Sequence, residues 1–212
     1  MAVLTGDLVG STGLKHGDLL GVRQALEDAA GQIAGWGRGR VHGPDFFRGD
    51  SWQLVLEESG LYLRAAIYLR TALLALEPAA DTRISIGVGQ VEALDEAYVS
   101  RSVGEAFTLS GRSLDDMSRL DVFSLNVAKP ASSLMLMPVV LSFCSHVVGE
   151  WSPSQARAAL EALKPGSRTQ GDVAEALGIT RQAVNKTYLR SGLPSVLLAI
   201  EAFETLDPGA NA

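Results

Sequence analysis

Apolar residues in the first 130 positions follow two different spacings. In some segments they recur every three or four residues, which predicts amphipathic helices, and in others they alternate or form short runs, which predicts strands. The resulting order, β-α-β-β-α-β and then one more helix and strand, is typical of an α+β, ferredoxin-like (split βαβ) domain with an antiparallel sheet and its helices on one face. The predicted strands are residues 3–8, 41–47, 52–57, 83–91 and 120–125, and the predicted helices are residues 19–33, 61–76 and 103–117.

After residue 130 the strand pattern stops and only helical spacing remains. We predict helices over residues 134–148 and 152–163, two short helices around Gly178, and a last helix over residues 194–206. The sequence therefore predicts three parts. These are a sheet domain over residues 1–130, a connector or dimerisation helix over 131–151, and an all-α domain over 152–212.

The run TQGDVAEALGITRQAVNK, residues 169–186, is the most specific pattern in the chain. Thr169 and Thr180 are good N-cap residues, and Gly178 tolerates the positive φ that a tight turn between two helices requires. This spacing resembles the helix-turn-helix of bacterial transcription regulators. An ordinary helical hairpin with a polar outer face is the alternative. The residues that would meet DNA phosphates and base edges are Thr180, Arg181, Gln182, Asn185, Lys186 and Arg190.

The charge of the helix-turn-helix segment supports DNA binding, but the charge of the whole chain does not. The 212 residues include 18 Lys or Arg and 24 Asp or Glu, and a net charge of −6 argues against a protein covered in nucleic acid. Residues 180–190, however, contain three cations and no acid. We therefore expect DNA to be a partner through one basic face, because phosphate contacts dominate affinity.

Other features of the composition indicate the compartment. A single cysteine, Cys144, excludes an internal disulfide framework, and three scattered histidines lack the usual ligand spacing of zinc sites. The start MAVLTGDLVGST has no basic segment before its apolar run, and the apolar stretches are shorter than the roughly 18 residues that span a bilayer. We expect a soluble, cytoplasmic protein without a membrane partner.

Two aspartates are candidate metal ligands. Asp7 ends the first predicted strand and Asp50 lies in the hairpin between the second and third, so a split βαβ sheet can bring both to one edge. Converging carboxylates need a cation between them, and Mg²⁺ or Mn²⁺ is the natural candidate. Acids flanked by glycine are also common in turns, which is the alternative. Backbone groups near the following helix N-terminus could hold a phosphate, namely those of Leu8, Gly10, Ser11 and Thr12.

Three stretches resemble class III nucleotidyl cyclases. TGDLVGST (5–12) is similar to the family's opening motif, RGDSWQLV (48–55) to its metal-binding hairpin, and GEAFTLSGRSLD (104–115) to its phosphate-handling helix. The similarity covers about residues 2–126. Diguanylate cyclases and polymerase palm domains share the sheet and the carboxylate pair. With the helix-turn-helix segment, the whole chain resembles the SatD family of small bacterial proteins.

The resemblance implies roles for particular residues. Asp7 and Asp50 would hold two metal ions about 3.5–4 Å apart, with a nucleoside triphosphate as ligand or substrate. Arg112 would stabilise charge on the transferring phosphate. Because the family's active site forms between two protomers, the resemblance also implies a homodimer.

Three positions depart from the family pattern. Phe46 stands where the family has its base-reading lysine, and Arg101 where it has a base-reading Asp or Thr. Thr108 replaces the transition-state asparagine. Metal and phosphate binding are therefore expected more than purine selection and efficient cyclisation.

The sequence thus favours a DNA-binding transcriptional regulator with a degenerate cyclase-like domain that senses a nucleotide or metal, or dimerises. The alternative is an active metal-dependent nucleotidyl cyclase or nucleotidyltransferase that the helix-turn-helix domain regulates. A third possibility is a structural adaptor in which both domains mediate protein contacts, and no sequence feature specifically favours it.

Overall fold

The computed structural model describes residues 1–13, 15–118, 121–130, 135–166 and 168–206. Five strands and eight helices alternate and then give way to helices alone, as predicted. The strands are β1 (Ala2–Leu8), β2 (Val41–Phe47), β3 (Ser51–Leu56), β4 (Thr82–Val88) and β5 (Phe123–Val127). The helices are α1 (His16–Ala34), α2 (Tyr62–Leu74), α3 (Glu105–Asp116), α4 (Met137–Gly149), α5 (Pro153–Leu163), α6 (Gln170–Leu177), α7 (Arg181–Ser191) and α8 (Leu193–Leu206).

The strands form one sheet in the order β2-β3-β1-β4-β5, which confirms the prediction of an α+β fold. The pairs β2–β3, β3–β1 and β1–β4 are antiparallel, in the order that a split βαβ arrangement requires. The expected antiparallel pairing is wrong for β5, which runs parallel to β4. The reason is that α3 crosses the sheet between these strands and returns the chain in the same direction.

The two faces of the sheet differ in what covers them. One face, which includes Leu4, Leu54 and Ile86, packs against α1 and α2 in the main core. The opposite face contributes Val3 and Val55 to a smaller cluster with α3. The prediction that the helices lie on one face is therefore wrong, because apolar side chains point to both faces of the strands.

The second face is covered closely because a glycine allows it. A Cβ atom on Gly87 of β4 would lie 2.2 Å from the carbonyl oxygen of Ala106 in α3. The backbone of α3 therefore lies so close to the backbone of β4 that only glycine, which has no Cβ atom, fits at position 87. Gly87 therefore fixes the distance between α3 and the sheet.

Helices α5 and α8 pack on α2, and the core continues from the sheet into the helices after residue 130. Buried residues of α4, α5, α7 and α8 belong to the same cluster as those of the sheet. Arg64 of α2 donates two hydrogen bonds to the carboxylate of Glu204 in α8, at 2.6 and 2.7 Å, and one to the carbonyl of Leu163 at the end of α5. All residues of α2 except Ala72 are buried, since the sheet lies on one side and these helices on the other.

Several predicted boundaries fall outside the described residues. Leu120, predicted to start the last strand, lies outside the described residues, and β5 begins at Phe123. Leu134, the predicted start of the connector helix, and residues 207–212 of the predicted C-terminal domain also lie outside them, so α4 is described from Met137. The division at residues 130 and 151 stays a prediction. Among helices of the described ranges, none is both long and apolar enough to cross a bilayer.

The packing of α3 leads to a test of stability. We expect G87A to lower the free energy of unfolding by about 1–3 kcal/mol, because the added methyl group meets a backbone carbonyl that cannot rotate away. Urea unfolding followed by circular dichroism measures this change. G111A is the matched control: Gly111 lies inside α3 with nothing within 4 Å of an added Cβ, and we expect a gain of up to about 1 kcal/mol. Equal stabilities for the two variants would contradict the close approach of α3.

Candidate functional site

A polar cleft of about 640 Å³ opens on the α3 face of the sheet. It exists because every second residue of the central strands faces α3, and near the Asp7 end those residues are polar. Its volume is in the range of small-molecule sites. The residues that line it are Thr5, Asp7, Phe47, Arg48, Ser51, Gln53, Arg83, Ser100, Gly111, Leu114 and Asp115.

The floor of the cleft is a buried hydrogen-bond network. The hydroxyl groups of Thr5 and Ser110 lie 2.8 Å apart, and the Gln53 side-chain amide donates to the Thr5 hydroxyl at 3.1 Å. All three residues are buried. Buried polar groups that satisfy one another in this way hold a single arrangement, so the floor is rigid.

Asp7 is held by Arg83, which lies directly opposite it in the β1–β4 ladder. The Arg83 guanidinium donates from Nε to Oδ1 at 3.0 Å and from Nη2 to Oδ2 of the same carboxylate. Both side chains are about three-quarters buried. Hydrogen bonding to Asp7 raises the pKa of Arg83. The pair is a bidentate ion pair inside the cleft.

Asp50 is one position away from Asp7 across the β1–β3 pair, and its carboxylate has a different hydrogen-bond partner. Ser51, the next residue, pairs with Asp7 in the β1–β3 ladder, and the Asp50 carbonyl accepts the Leu8 backbone N–H at 3.1 Å. The Asp50 carboxylate accepts a hydrogen bond from the Ser11 hydroxyl at 2.7 Å. The fold therefore places the two aspartates at neighbouring cross-strand positions.

The predicted phosphate-binding segment lies on the same edge. The Leu8 side chain is buried in the main core, whereas Gly10 and Thr12 are exposed in the turn after β1. Gly10 has a φ of 67°, and its carbonyl accepts the Gly13 N–H at 2.9 Å. Ser11 is the member of this segment whose side chain contacts an aspartate.

These residues, as arranged, do not fit a divalent metal ion at Asp7. Mg²⁺ and Mn²⁺ need carboxylate oxygens at about 2.1 Å, and both Asp7 oxygens already accept N–H groups of Arg83. In the described part of the chain, no three His, Cys, Asp or Glu side chains are grouped in a way that could hold a metal ion. An ion would first have to displace the guanidinium.

The remaining residues implied by the cyclase resemblance are dispersed. Thr108 and Arg112 are exposed one turn apart on α3. Phe46 packs partly against the main core with the Arg23 guanidinium 4.9 Å from its ring, while its neighbour Phe47 lines the cleft.

Arg101 lies on the Tyr98 ring at 4.2 Å, in the short turn before α3. The neighbouring Ser100 lines the cleft, so this position stands at its rim. The fold thus places Asp7 and Asp50 at neighbouring backbone positions, with Asp7 in the cleft and the Asp50 carboxylate on Ser11, and it keeps the other implied residues at separate places.

Sequence reasoning missed the residues that define the cleft. Arg83 lies outside every motif, and Gln53 and Ser110 lie inside two of the cyclase-like stretches but were given no role there. A signal existed in the strands: Arg83 and Gln53, like Thr5 and Asp7, are polar residues at alternate positions of otherwise apolar runs. A polar residue at every second position of a central strand indicates a face that is not packed in the core.

A second candidate surface is formed by α6 and α7. Thr169 and Asp172 form a capping box at the start of α6, and α6 ends at Gly178 with a φ of 63°. The Thr180 hydroxyl accepts the Ala183 N–H at 3.2 Å and starts α7. These contacts are the ones expected from the sequence for two helices and a tight turn.

The α7 helix has one buried and one exposed face. Val184 and Tyr188 are buried, and the helix packs against α5, α6 and α8. The side-chain amide of Gln170 in α6 donates to the Asn185 side-chain oxygen at 3.4 Å. The exposed polar side chains are those of Arg181, Gln182, Asn185, Lys186 and Arg190, and Ala183 and Leu189 are exposed as well.

Comparisons with known proteins give little further information. No protein-family model matches the chain, and no curated protein matches it. A solved structure, the crystal structure of the guanylyl cyclase Cya2, is 20% identical over 63% of this chain and 75% of that chain, with a TM-score of 0.37.

The ion pair in the cleft can be tested by stability. We expect D7N to lower the free energy of unfolding by about 1–2 kcal/mol, between the values typical of surface and buried pairs, because it leaves the Arg83 guanidinium without a counter-ion. D50N is the matched control. Its amide oxygen can still accept the Ser11 hydroxyl, so we expect a change within about 0.5 kcal/mol. Thermal unfolding of both variants measures the difference, and equal losses would be at odds with the pairing.

Proposed function

We propose that this protein is a DNA-binding transcriptional regulator, in which α7 contacts duplex DNA and the polar cleft binds a nucleotide that modulates this contact. The observation that supports DNA binding is the exposed face of α7. This face presents side chains suited to phosphates and to base edges. The opposite face of α7 is buried and holds the helix against the rest of the protein.

Charge supports the use of this particular surface. The whole chain carries a net charge of −6, so it has no general attraction for DNA. The interval from Thr180 to Arg190 has three cations and no anion. Arg181 and Lys186 are both exposed, and within the described residues neither forms an ion pair with an acidic side chain. Their charges are available to phosphates.

The support of α7 also suits a DNA-reading helix. The Trp151 indole N–H donates to the Ser191 carbonyl at 2.7 Å, which anchors the C-terminal end of α7. Thr180 caps the other end. A helix held at both ends presents its side chains in a fixed orientation, which base readout requires.

A homodimer is part of the proposal. Two copies of α7 related by a two-fold axis would read half-sites about 34 Å apart, or a multiple of that distance. The cyclase resemblance also implies a dimer, with Thr108 and Arg112 exposed on α3 where a partner protomer could meet them.

We expect the R181A/K186A variant to bind duplex DNA about 30–100-fold more weakly than the wild type, because two phosphate contacts are lost. The dependence of log K on log salt concentration should become shallower by about two for the same reason. Fluorescence anisotropy with a mixed-sequence duplex at several salt concentrations measures both quantities.

The matched control is R38A/K129A. It removes the same charge from exposed positions outside α7, and we expect its DNA affinity to stay within about threefold of wild type. Folded wild-type protein without any salt-sensitive affinity for DNA would overturn the proposal. Equal losses in the two double variants would show a general charge effect instead of a contact by α7.

The cleft supports the sensing part of the proposal. Arg48 contributes a positive charge, since the charge of Arg83 is paired with Asp7, and Ser51, Ser100 and Gln53 contribute hydrogen-bonding groups. These groups suit a polar ligand with an anionic part, such as a purine nucleotide. The pairing of Asp7 with Arg83 favours binding over metal-dependent nucleotidyl transfer, because transfer would need Asp7 to hold an ion.

We expect saturating ATP or GTP to change the DNA affinity of the wild type by about fivefold or more, and DNA to change nucleotide affinity by the same factor. R48A should weaken nucleotide binding, since Arg48 lines the cleft, while R38A should leave it unchanged. Equilibrium dialysis and anisotropy measure the two affinities. An unchanged DNA affinity at saturating nucleotide would remove the sensing part and leave DNA binding standing.

A further inference from the structure

The outward side of α4 carries large apolar side chains that are exposed. Met135, Leu136, Val139 and Phe143, which we call the α4 stripe, have exposed fractions of 79, 71, 53 and 70%. We infer that the α4 stripe is the surface through which two copies of this chain form a homodimer. The choice of a second copy rests on the homodimer of the proposed function, but the test below uses no DNA, so either can fail without the other.

Helical spacing places the stripe on one side of α4. Val139 and Phe143 follow Leu136 by three and seven residues, so the three side chains share one side of the helix. Leu141 and Cys144 are buried in the main core on another side. The helix is therefore apolar on both sides, a pattern typical of helices that are fully covered. With 13 residues it is too short to cross a bilayer, so we expect a protein surface to cover it.

The absence of charge on α4 favours a second copy over a charged partner. Met137–Gly149 contains no Asp, Glu, Lys or Arg, and its polar side chains are those of Ser142, Ser145 and His146. In a two-fold contact a surface meets itself, so a charge near the axis would face its own copy and repel it. The α4 stripe has no such charge. A nucleic acid or an acidic peptide, by contrast, would find neither Lys nor Arg there.

The exposed area of the stripe is sufficient for a specific dimer. A large apolar residue presents about 150–250 Å² when fully exposed, so the four side chains leave on the order of 500 Å² open on each copy. A patch of this size is at the upper end of what monomeric proteins expose. Its burial on two copies removes about 1,000 Å² from water, which is the least that a specific interface needs.

The C-terminal end of α4 is tied to the C-terminal end of α7. A Cβ atom on Gly192, which follows α7, would lie 2.9 Å from Cγ1 of Val147 in α4. The Trp151 indole, two residues after α4, donates its hydrogen bond to the Ser191 carbonyl. A dimer joined at the α4 stripe would therefore also set the distance between two α7 helices, as binding to two half-sites requires.

The test is sedimentation velocity of the full-length protein over a concentration series, without DNA or nucleotide. We expect the wild type to form a dimer with a dissociation constant of about 50 μM or tighter. F143E should raise this constant at least about tenfold, because a carboxylate replaces an apolar side chain that the dimer buries. A weaker wild-type dimer, or a smaller change in F143E, would overturn the inference.

L20E is the matched control for added charge. Leu20 of α1 is also a large apolar residue, 55% exposed, but its neighbours on the same side of the helix are Gly17 and Gln24, so it belongs to no apolar stripe. We expect its dimer dissociation constant to stay within about twofold of wild type. A loss as large as that of F143E would show a general effect of charge, and would overturn the role given to the α4 stripe.

V139E covers the case in which F143E does not fold, which circular dichroism reveals. Val139 lies one turn before Phe143 in the same stripe and is half exposed, so a charge there is tolerated in the monomer. We expect folded V139E to raise the dimer dissociation constant about fivefold or more. Wild-type dimerisation of folded V139E would contradict the inference.

R112E distinguishes α4 from the surface that the cyclase resemblance implies. Arg112 is exposed on α3, which covers the opposite face of the sheet from the main core. We expect R112E to dimerise within about threefold of wild type, because its charge lies outside the α4 stripe. A dimer that is lost in R112E and kept in F143E would place the partner at α3 and overturn the inference.

Discussion

The central strand β1 must serve two different environments, and the rest of the structure follows from this constraint. Successive side chains of a strand point to opposite faces. On one face Ala2, Leu4 and Leu8 enter the main core beneath α1 and α2. On the other face Val3 packs under α3, and then Thr5 and Asp7 are left to form a polar cleft. A shift of register by one residue would bury Asp7 and expose Leu8, so the register is fixed strongly.

Much of this architecture can be predicted from the sequence because its signals are local. Helical and strand spacing gave the order of the elements, and the Thr169 and Thr180 caps with Gly178 gave the turn between α6 and α7. The parallel β5 and the position of α3 could not be predicted in this way. Both depend on contacts between residues far apart in the chain, such as Gly87 with Ala106.

The candidate site was also predictable only in part, because some of its features follow from the order of the elements and others depend on contacts between distant residues. Adjacency of the turn after β1 and the β2–β3 hairpin follows from topology, so the neighbourhood of Asp7 and Asp50 was predictable. The partner of Asp7 was not, because Arg83 is 76 residues away and the sequence does not show which residue of β4 stands opposite Asp7. A motif gives the type of a residue but not what neutralises its charge. That information resides in the register of β1 against β4.

The burial of α2 has a consequence for how the molecule behaves as a whole. This helix lies between the sheet on one side and α5 and α8 on the other, with Arg64 bonded to both later helices. Neither layer has a complete core once α2 is lost. We therefore expect the sheet and the C-terminal helices to unfold as one cooperative unit, because any opening that reaches α2 removes part of both cores.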